Sequence, residues 1–221
     1  MSKSTKAEKK ALELRQLAAE AAKAELELES ARLRFSEDKF NHVATHQQMG
    51  DITGTFYFSD AVTDSSCARL ASRVRRYAQR EPGKPITIVI QSPGGGVLPG
   101  LGLYDELRAV SDAGSPITTQ VRGYAASFGA ILLQAGDTRL VGPESYLMVH
   151  EISAGTGGKL HEMRDEVEFY ERINRRLFDI MSRRSGGKFN ARSLYSKAKA
   201  KDLWLDAEEA VEKYGLADAI G

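Results

Sequence analysis

The stretch Ile86-Thr87-Ile88-Val89-Ile90 constrains the fold of this chain more than any other. It is β-branched throughout and hardly alternates with polar residues, the pattern of a strand buried on both faces inside an α/β sheet. Pro82-Gly83-Lys84-Pro85 sets it off on one side and Ser92-Pro93-Gly94-Gly95-Gly96 turns the chain on the other. Such a strand needs neighbours reached through crossover helices. Thr55-Phe56-Tyr57-Phe58 is a short β-prone run, Thr63 or Asp64 can cap a helix, and Leu70, Val74 and Tyr77 then recur at helical spacing. A helix is predicted from about Pro99 to Ala113, a second strand over Ile117–Val121 and a third over Leu147–Val149. Strands and helices in this repeated order predict a mostly parallel, layered α/β domain with its chemistry at the carboxyl ends of the strands.

That domain occupies residues 54–221, and what precedes it has a different texture. Residues 6–35 contain no Gly or Pro and consist largely of strong helix formers, which predicts a long charged helix over the 1–35 extension. Leu14, Leu17, Ala21, Ala24, Leu28, Ala31 and Phe35 alternate steps of three and four along it. So alanine-rich a seam buries little, and the helix reads either as a docking element or as a solvated extension. Residues 36–53 lack periodicity and read as a linker; His42 and His46 within it have no carboxylate or cysteine company, so no metal site is expected. Net charge is +1 with the cations dispersed, which points to neither nucleic acid nor an anionic membrane. One cysteine, Cys67, and no apolar run near ~20 residues fit a soluble cytoplasmic protein.

Gly123-Tyr124-Ala125-Ala126-Ser127-Phe128-Gly129-Ala130 places one hydroxyl among small residues ahead of an apolar run. Two readings are open: a nucleophile that a substrate backbone can approach, or a small polar residue tolerated in close helix packing. His150 arrives 23 residues later at a strand end, where a neutral imidazole can accept a proton. The triglycine and Phe128 carry backbone amides suited to an oxyanion. Beyond them, Gly155-Thr156-Gly157-Gly158 leaves backbone accessible. A long helix runs from about Leu160 to Arg184; its stripe of Met163, Val167, Tyr170, Ile173, Leu177 and Ile180 is narrow for a core helix and suits packing on one partner surface. Two short helices are predicted around Trp204, and residues 214–220 form a turn into a final edge element.

Ser92-Pro93-Gly94-Gly95, Gly100, Tyr104-Asp105, the octapeptide around Ser127 with Leu132-Leu133-Gln134-Ala135-Gly136, Met148-Val149-His150, and Ala207-Glu208-Glu209-Ala210 with Tyr214-Gly215-Leu216-Ala217-Asp218 together resemble the ClpP family of serine peptidases. The resemblance runs from about Gly54 to Ile220. The loop between Gly136 and Ser145 looks shorter than in housekeeping members of that family and, together with Trp204, is more similar to the ClpP-related head-maturation proteases of tailed bacteriophages.

The resemblance implies a crotonase-like α/β fold of stacked β-β-α units from which the long helix protrudes, and a homo-oligomeric ring, single or double, with helix 160–184 between rings. It implies a serine endopeptidase needing neither cofactor nor metal and hydrolysing protein substrates, without ATP of its own. By carry-over Ser127 is the nucleophile, His150 the general base, and Gly95 and Phe128 the oxyanion hole. Gly94, Gly96, Ser153 and Gly155 then bind substrate, the stretch near 153–158 pairing with an extended peptide. Aligning the tail motif puts the third member of the triad at Ala198, so Asp202 is the first substitute and Asp206 the second. A phage capsid or scaffold partner engaged through residues 6–35 is the specific expectation, and the charged N-terminal helix puts an unfoldase partner in doubt. The alternatives are a catalytically weak scaffold of the same fold and an acyl-CoA enzyme of the crotonase superfamily, which does not require the serine–histidine pair.

Overall fold

The structure, a computed structural model, describes Glu20, Lys23, Glu25, residues 27–30 and residues 50–221. Residues 1–46 and 47–221 are separate compact units. In the first, the described residues are helical and exposed, Leu28 of the heptad seam among them. The rest of that seam, His42 and His46 lie outside the described residues. Residues 50–53, the end of the stretch read as a linker, are helical, and Gly50 is buried, since a side chain there would meet the Thr55 carbonyl at 2.6 Å.

The second unit runs β1 (Thr55–Phe58), α1 (Asp64–Arg80), β2 (Ile86–Ser92), α2 (Val97–Asp112), β3 (Ile117–Ala126), α3 (Phe128–Leu133), β4 (Thr138–Val141), β5 (Tyr146–Val149), α4 (Leu160–Arg184), α5 (Ala191–Ala200), β6 (Leu203–Leu205), a π-helical turn (Glu209–Lys213) and β7 (Ala219–Ile220). β1, β2, β3, β4 and β7 pair in that order, all parallel. β5 pairs with β3 in parallel and β6 runs antiparallel beyond it. This is a mixed α/β domain on a mostly parallel sheet, as the repeated strand–helix order predicts. No helix among the described residues is long and apolar enough to cross a membrane.

Thr63 begins α1 with a capping box: its hydroxyl accepts from the Ser66 amide at 3.2 Å while its own amide donates to the Ser66 hydroxyl at 3.0 Å. Phe56, Phe58, Ile86, Ile88 and Ile90 fill one face of β1 and β2 together with Leu70, Val74 and Tyr77 of α1, and the Tyr77 ring meets Phe56 edge-on. The opposite face differs from the expectation of full burial: Tyr57 is 47% exposed, and Thr87 and Val89 are half-buried. α1 and α2 lie against each other.

β3 is longer than predicted because it serves two sets of neighbours. Residues 117–121 pair with β2 and β4, and residues 124–126 pair with β5. Between them the register slips: Ile90 faces Val121 but Ser92 faces Ala125. The extra residues form a bulge around Gly123, at φ +78°, a conformation open to glycine. The supposed loop from 136 to 145 contains β4. Trp204 sits in β6, between the predicted short helices.

α4 departs from the narrow-stripe reading. Its first half is open, with Leu160, Val167 and Phe169 exposed, but Ile173, Leu177, Phe178, Ile180 and Met181 are buried in the main core. Its last turns therefore build the domain, while its first half stands open to solvent.

Two carboxylates tie the outer parts together. Asp137 accepts from Arg108, the Ser111 hydroxyl and the Ile117 amide, each at 2.7 Å. Asp218 accepts from the Arg139 amide at 2.7 Å and from its guanidinium. Burial pushes both carboxyls up, but these donors outweigh it and hold each below its ordinary range. A lowered folded-state pKa contributes stability above the unfolded value of ~3.9, and that stability is lost as pH falls through the folded value. Asp137→Asn and Asp218→Asn should each lower the melting temperature at pH 7 and leave less to lose below about pH 4. Melting curves from about pH 2 to 7 check this; curves that stay parallel to the parent's would contradict it.

Candidate functional site

The glycine turn after β2 is clamped from outside. The Val62 amide donates to the Gly94 carbonyl and its carbonyl accepts from the Gly96 amide, both at 2.8 Å. Gly94 has φ +85° and Gly95 φ +143°. A Cβ on Gly94 would stand 2.6 Å from the Ala126 carbonyl and 2.7 Å from Ser127 Cβ; one on Gly95 would stand 2.5 Å from the Val62 carbonyl. Only glycine fits at either place.

This turn lies against Ser127, where β3 gives way to α3. Ser127 has φ +54° and ψ −121°, the one positive φ outside glycine among the described residues. Such a backbone costs about 1–3 kcal/mol and persists only where the surroundings over-determine it. Here the Ser127 amide donates to the Met148 carbonyl of β5 at 2.8 Å, and its carbonyl accepts from Ala130 at 3.1 Å. The next residue, Phe128, is 2% exposed, and its ring packs so closely on Gly100 of α2 that a Cβ there would lie 2.3 Å from it.

β5 delivers His150 to the same place, with Nε2 2.7 Å from Ser127 Oγ. The imidazole's other nitrogen, Nδ1, is 3.8 Å from Asp202 Oδ1. Strand register explains that approach. Leu147 faces Leu205, Met148 faces Trp204 and Val149 faces Leu203 across the antiparallel pair, so the next step sets His150 opposite Asp202. Ala198, where the tail alignment puts the third member, is instead 3% exposed in the core on α5. Asp206 is engaged elsewhere, accepting from the Glu209 amide three residues on at 2.8 Å.

The remaining sequence candidates divide. The amides of Gly95 and Phe128 donate to no protein acceptor among the described residues, and both residues line the cleft that holds Ser127 and His150. Ser153 and Gly155 line it too and are exposed, on a segment without regular structure. Gly96 is exposed and lines the cleft as well, whereas Gly94 differs from the substrate-facing role. Gly94 is buried, with its amide on the Ser92 hydroxyl at 3.2 Å and its carbonyl on Val62, and the Gly96 amide is taken up by Val62.

The cleft has a volume of about 670 Å³, and Ile131, Ile173, Leu177 and Met181 give it an apolar wall. Sequence reading missed this wall, because the residues on α4 read as a partner-facing stripe. It also missed Val62 and Met148, whose contributions are backbone groups that carry no side-chain signal. Chemically, the arrangement presents a hydroxyl in hydrogen-bond contact with an imidazole, two unbonded amides alongside, and an apolar recess. Those are the parts that acyl transfer through a serine requires.

A family-wide sequence description, Clp protease, matches residues 46–221. The ATP-dependent Clp protease proteolytic subunit 1 of Chlamydia muridarum is 33% identical over 170 residues, covering 74% of this chain and 84% of that protein. Its counterpart in Protochlamydia amoebophila is 32% identical over 168 residues, covering 74% and 78%. The ATP-dependent Clp protease proteolytic subunit of Bacteroides fragilis is 30% identical over 166 residues, covering 74% and 77%.

Gly94→Ala tests how the turn supports the serine. The added methyl has no room against Ala126 and Ser127, so the variant should lose about 1–3 kcal/mol of stability. Its Ser127 should also react more slowly with a fluorophosphonate. Unchanged melting and labelling would show that the turn accommodates a side chain.

Proposed function

This chain belongs to the Clp protease family, and from that premise we propose that it is a serine endopeptidase acting on protein chains. One observation carries the reading: Ser127 Oγ and His150 Nε2 are 2.7 Å apart in a cleft that the amides of Gly95 and Phe128 also line. Ser127 Oγ attacks the carbonyl carbon of the scissile peptide while its proton passes to His150 Nε2. The tetrahedral oxyanion takes hydrogen bonds from Gly95 and Phe128, donors of a kind worth roughly 10²–10³ in turnover each. His150 returns the proton to the leaving amine, whose C–N bond breaks, and an acyl-serine remains. Water, deprotonated by the same imidazole, then attacks the ester and frees the carboxylate product. Asp202 orients Nδ1–H and supports the imidazolium.

The apolar wall of Ile131, Ile173, Leu177 and Met181 suits an apolar side chain beside the scissile bond. The exposed segment through Ser153 and Gly155 has backbone groups free to pair with an extended peptide. Assembly into a ring is part of the proposal, supported by the apolar residues Leu160, Val167 and Phe169 on the open half of α4. Native mass spectrometry tests it. Substrate source divides two ways. The relatives' names carry ATP dependence, which favours chains supplied by an ATPase partner. Exposed Trp204 and the 6–35 segment favour capsid or scaffold chains met in a phage-infected cytoplasm.

A second reading, a weakly catalytic scaffold of the same fold, draws on the 3.8 Å between His150 and Asp202, longer than a hydrogen bond, and on Asp202's exposure. Fluorophosphonate labelling separates the two. The wild type should label at one site, Ser127→Ala should not label, and an unlabelled wild type would leave the scaffold. For peptide turnover, Asp202→Asn should cost about 10²–10⁴ in kcat and Asp206→Asn less than about threefold. Equal losses would remove Asp202 from the role.

A further inference from the structure

His150 leaves β5 into residues 150–159, which have no regular secondary structure. On its amino side the base is fixed by the β5 pairings. On its carboxyl side no backbone ladder holds it, and two side chains from the helices do so instead. Asn174 Oδ1 on α4 accepts the Ile152 N–H at 3.2 Å, and Tyr195 Oη on α5 donates to Glu151 Oε1 at 2.7 Å. Both anchors are themselves held in place. Asn174 is 7% exposed beside Ile173 and Leu177, and the Tyr195 ring packs edge-on against Phe178 at 5.3 Å. A buried amide in a helix stripe that is otherwise apolar needs a reason, since leaving it unbonded would be costly. The Ile152 amide supplies that reason.

Tyr195 adds a second connection. The helix that carries it ends at Ala200 and hands the chain to Asp202, so Tyr195 links the strap bearing the base to the element bearing the carboxylate. We propose that Asn174 and Tyr195 are positioning residues, which act through Ile152 and Glu151 to hold His150 between Ser127 and Asp202. The assignment rests on the serine-peptidase reading. Neither residue touches the reacting atoms, and each acts on the one group that must reach both partners. A displacement of about 1 Å at such a group can cost 10²-fold in rate.

The test compares three substitutions in the full chain. Asn174→Asp keeps an oxygen acceptor for the Ile152 amide, Asn174→Leu removes it at similar volume, and Tyr195→Phe removes only the hydroxyl. Peptide kcat and KM are measured with melting temperature and assembly mass, and the His150 ring nitrogens are followed by NMR with labelled histidine. Asn174→Leu should lower kcat about tenfold with KM within about twofold, and Asn174→Asp should recover kcat to within about threefold. Tyr195→Phe should fall between them and shift the Nδ1 signal as Asn174→Leu does. Leu and Asp variants that lose kcat alike, or a Leu variant that loses only melting temperature, would overturn the assignment. Should the wild type fail to hydrolyse or label, the peptidase reading falls by itself, and the ring signal then decides. A signal that moves in Asn174→Leu and not in Asn174→Asp sustains the positioning role; one that moves in neither, or equally in both, ends it.

Discussion

The functional end of this molecule depends on one backbone that is bent against its own preference. Left to local energetics, Ser127 would continue β3 or enter α3 with a negative φ, and its hydroxyl would point among the apolar residues that surround it. The hydrogen bond to the Met148 carbonyl prevents that, and so does the Phe128 ring seated on Gly100. Gly94 beneath the turn leaves the space that the bent chain needs. Each contact comes from a different element: β5, α2 and the turn after β2. Strain of about 1–3 kcal/mol is small beside the burial of a side chain as large as Phe128 together with two good hydrogen bonds, so the bend is stable once the layers have closed.

The same dependence on distant parts shows in the support of α3. Gln134, fully buried, donates to the Ala130 carbonyl at 3.2 Å and to the Leu216 carbonyl at 3.0 Å, and accepts from Arg139 at 2.7 Å. Arg139 also reaches the Gly215 carbonyl and Asp218. The serine-bearing helix and the tail, more than 80 residues apart in the chain, therefore share one polar network in the core. Such a network tolerates no partial version, because each buried donor left over would cost about 1–3 kcal/mol. This is the physical reason for a glutamine at 134 in otherwise apolar surroundings.

Most of this architecture was legible in the sequence wherever an element declares itself by composition. The apolar run of β2, the glycines that follow it and the helix formers of α4 gave type and position nearly residue by residue. The serine and histidine were legible because each stands at the end of such an element. What stayed hidden had no local signal. β4 is four residues long and contains Arg139, a charge that belongs in a strand interior only because Asp218 lies beside it. β6 is three residues long, and its register rather than its spacing along the chain sets Asp202 opposite His150. The inner half of α4 read as a narrow stripe because the row through Leu177 and Ile180 leaves out Phe178 and Met181, yet both are buried.

β6 also sets an order of events during synthesis. The glycine turn and Ser127 leave the ribosome first and His150 follows, but the strand that lines up Asp202 emerges some fifty residues later. A chain released that far contains the hydroxyl and the imidazole but not the carboxylate that β6 sets opposite His150. The site therefore has all of its groups in place only when the tail has folded back beside β5.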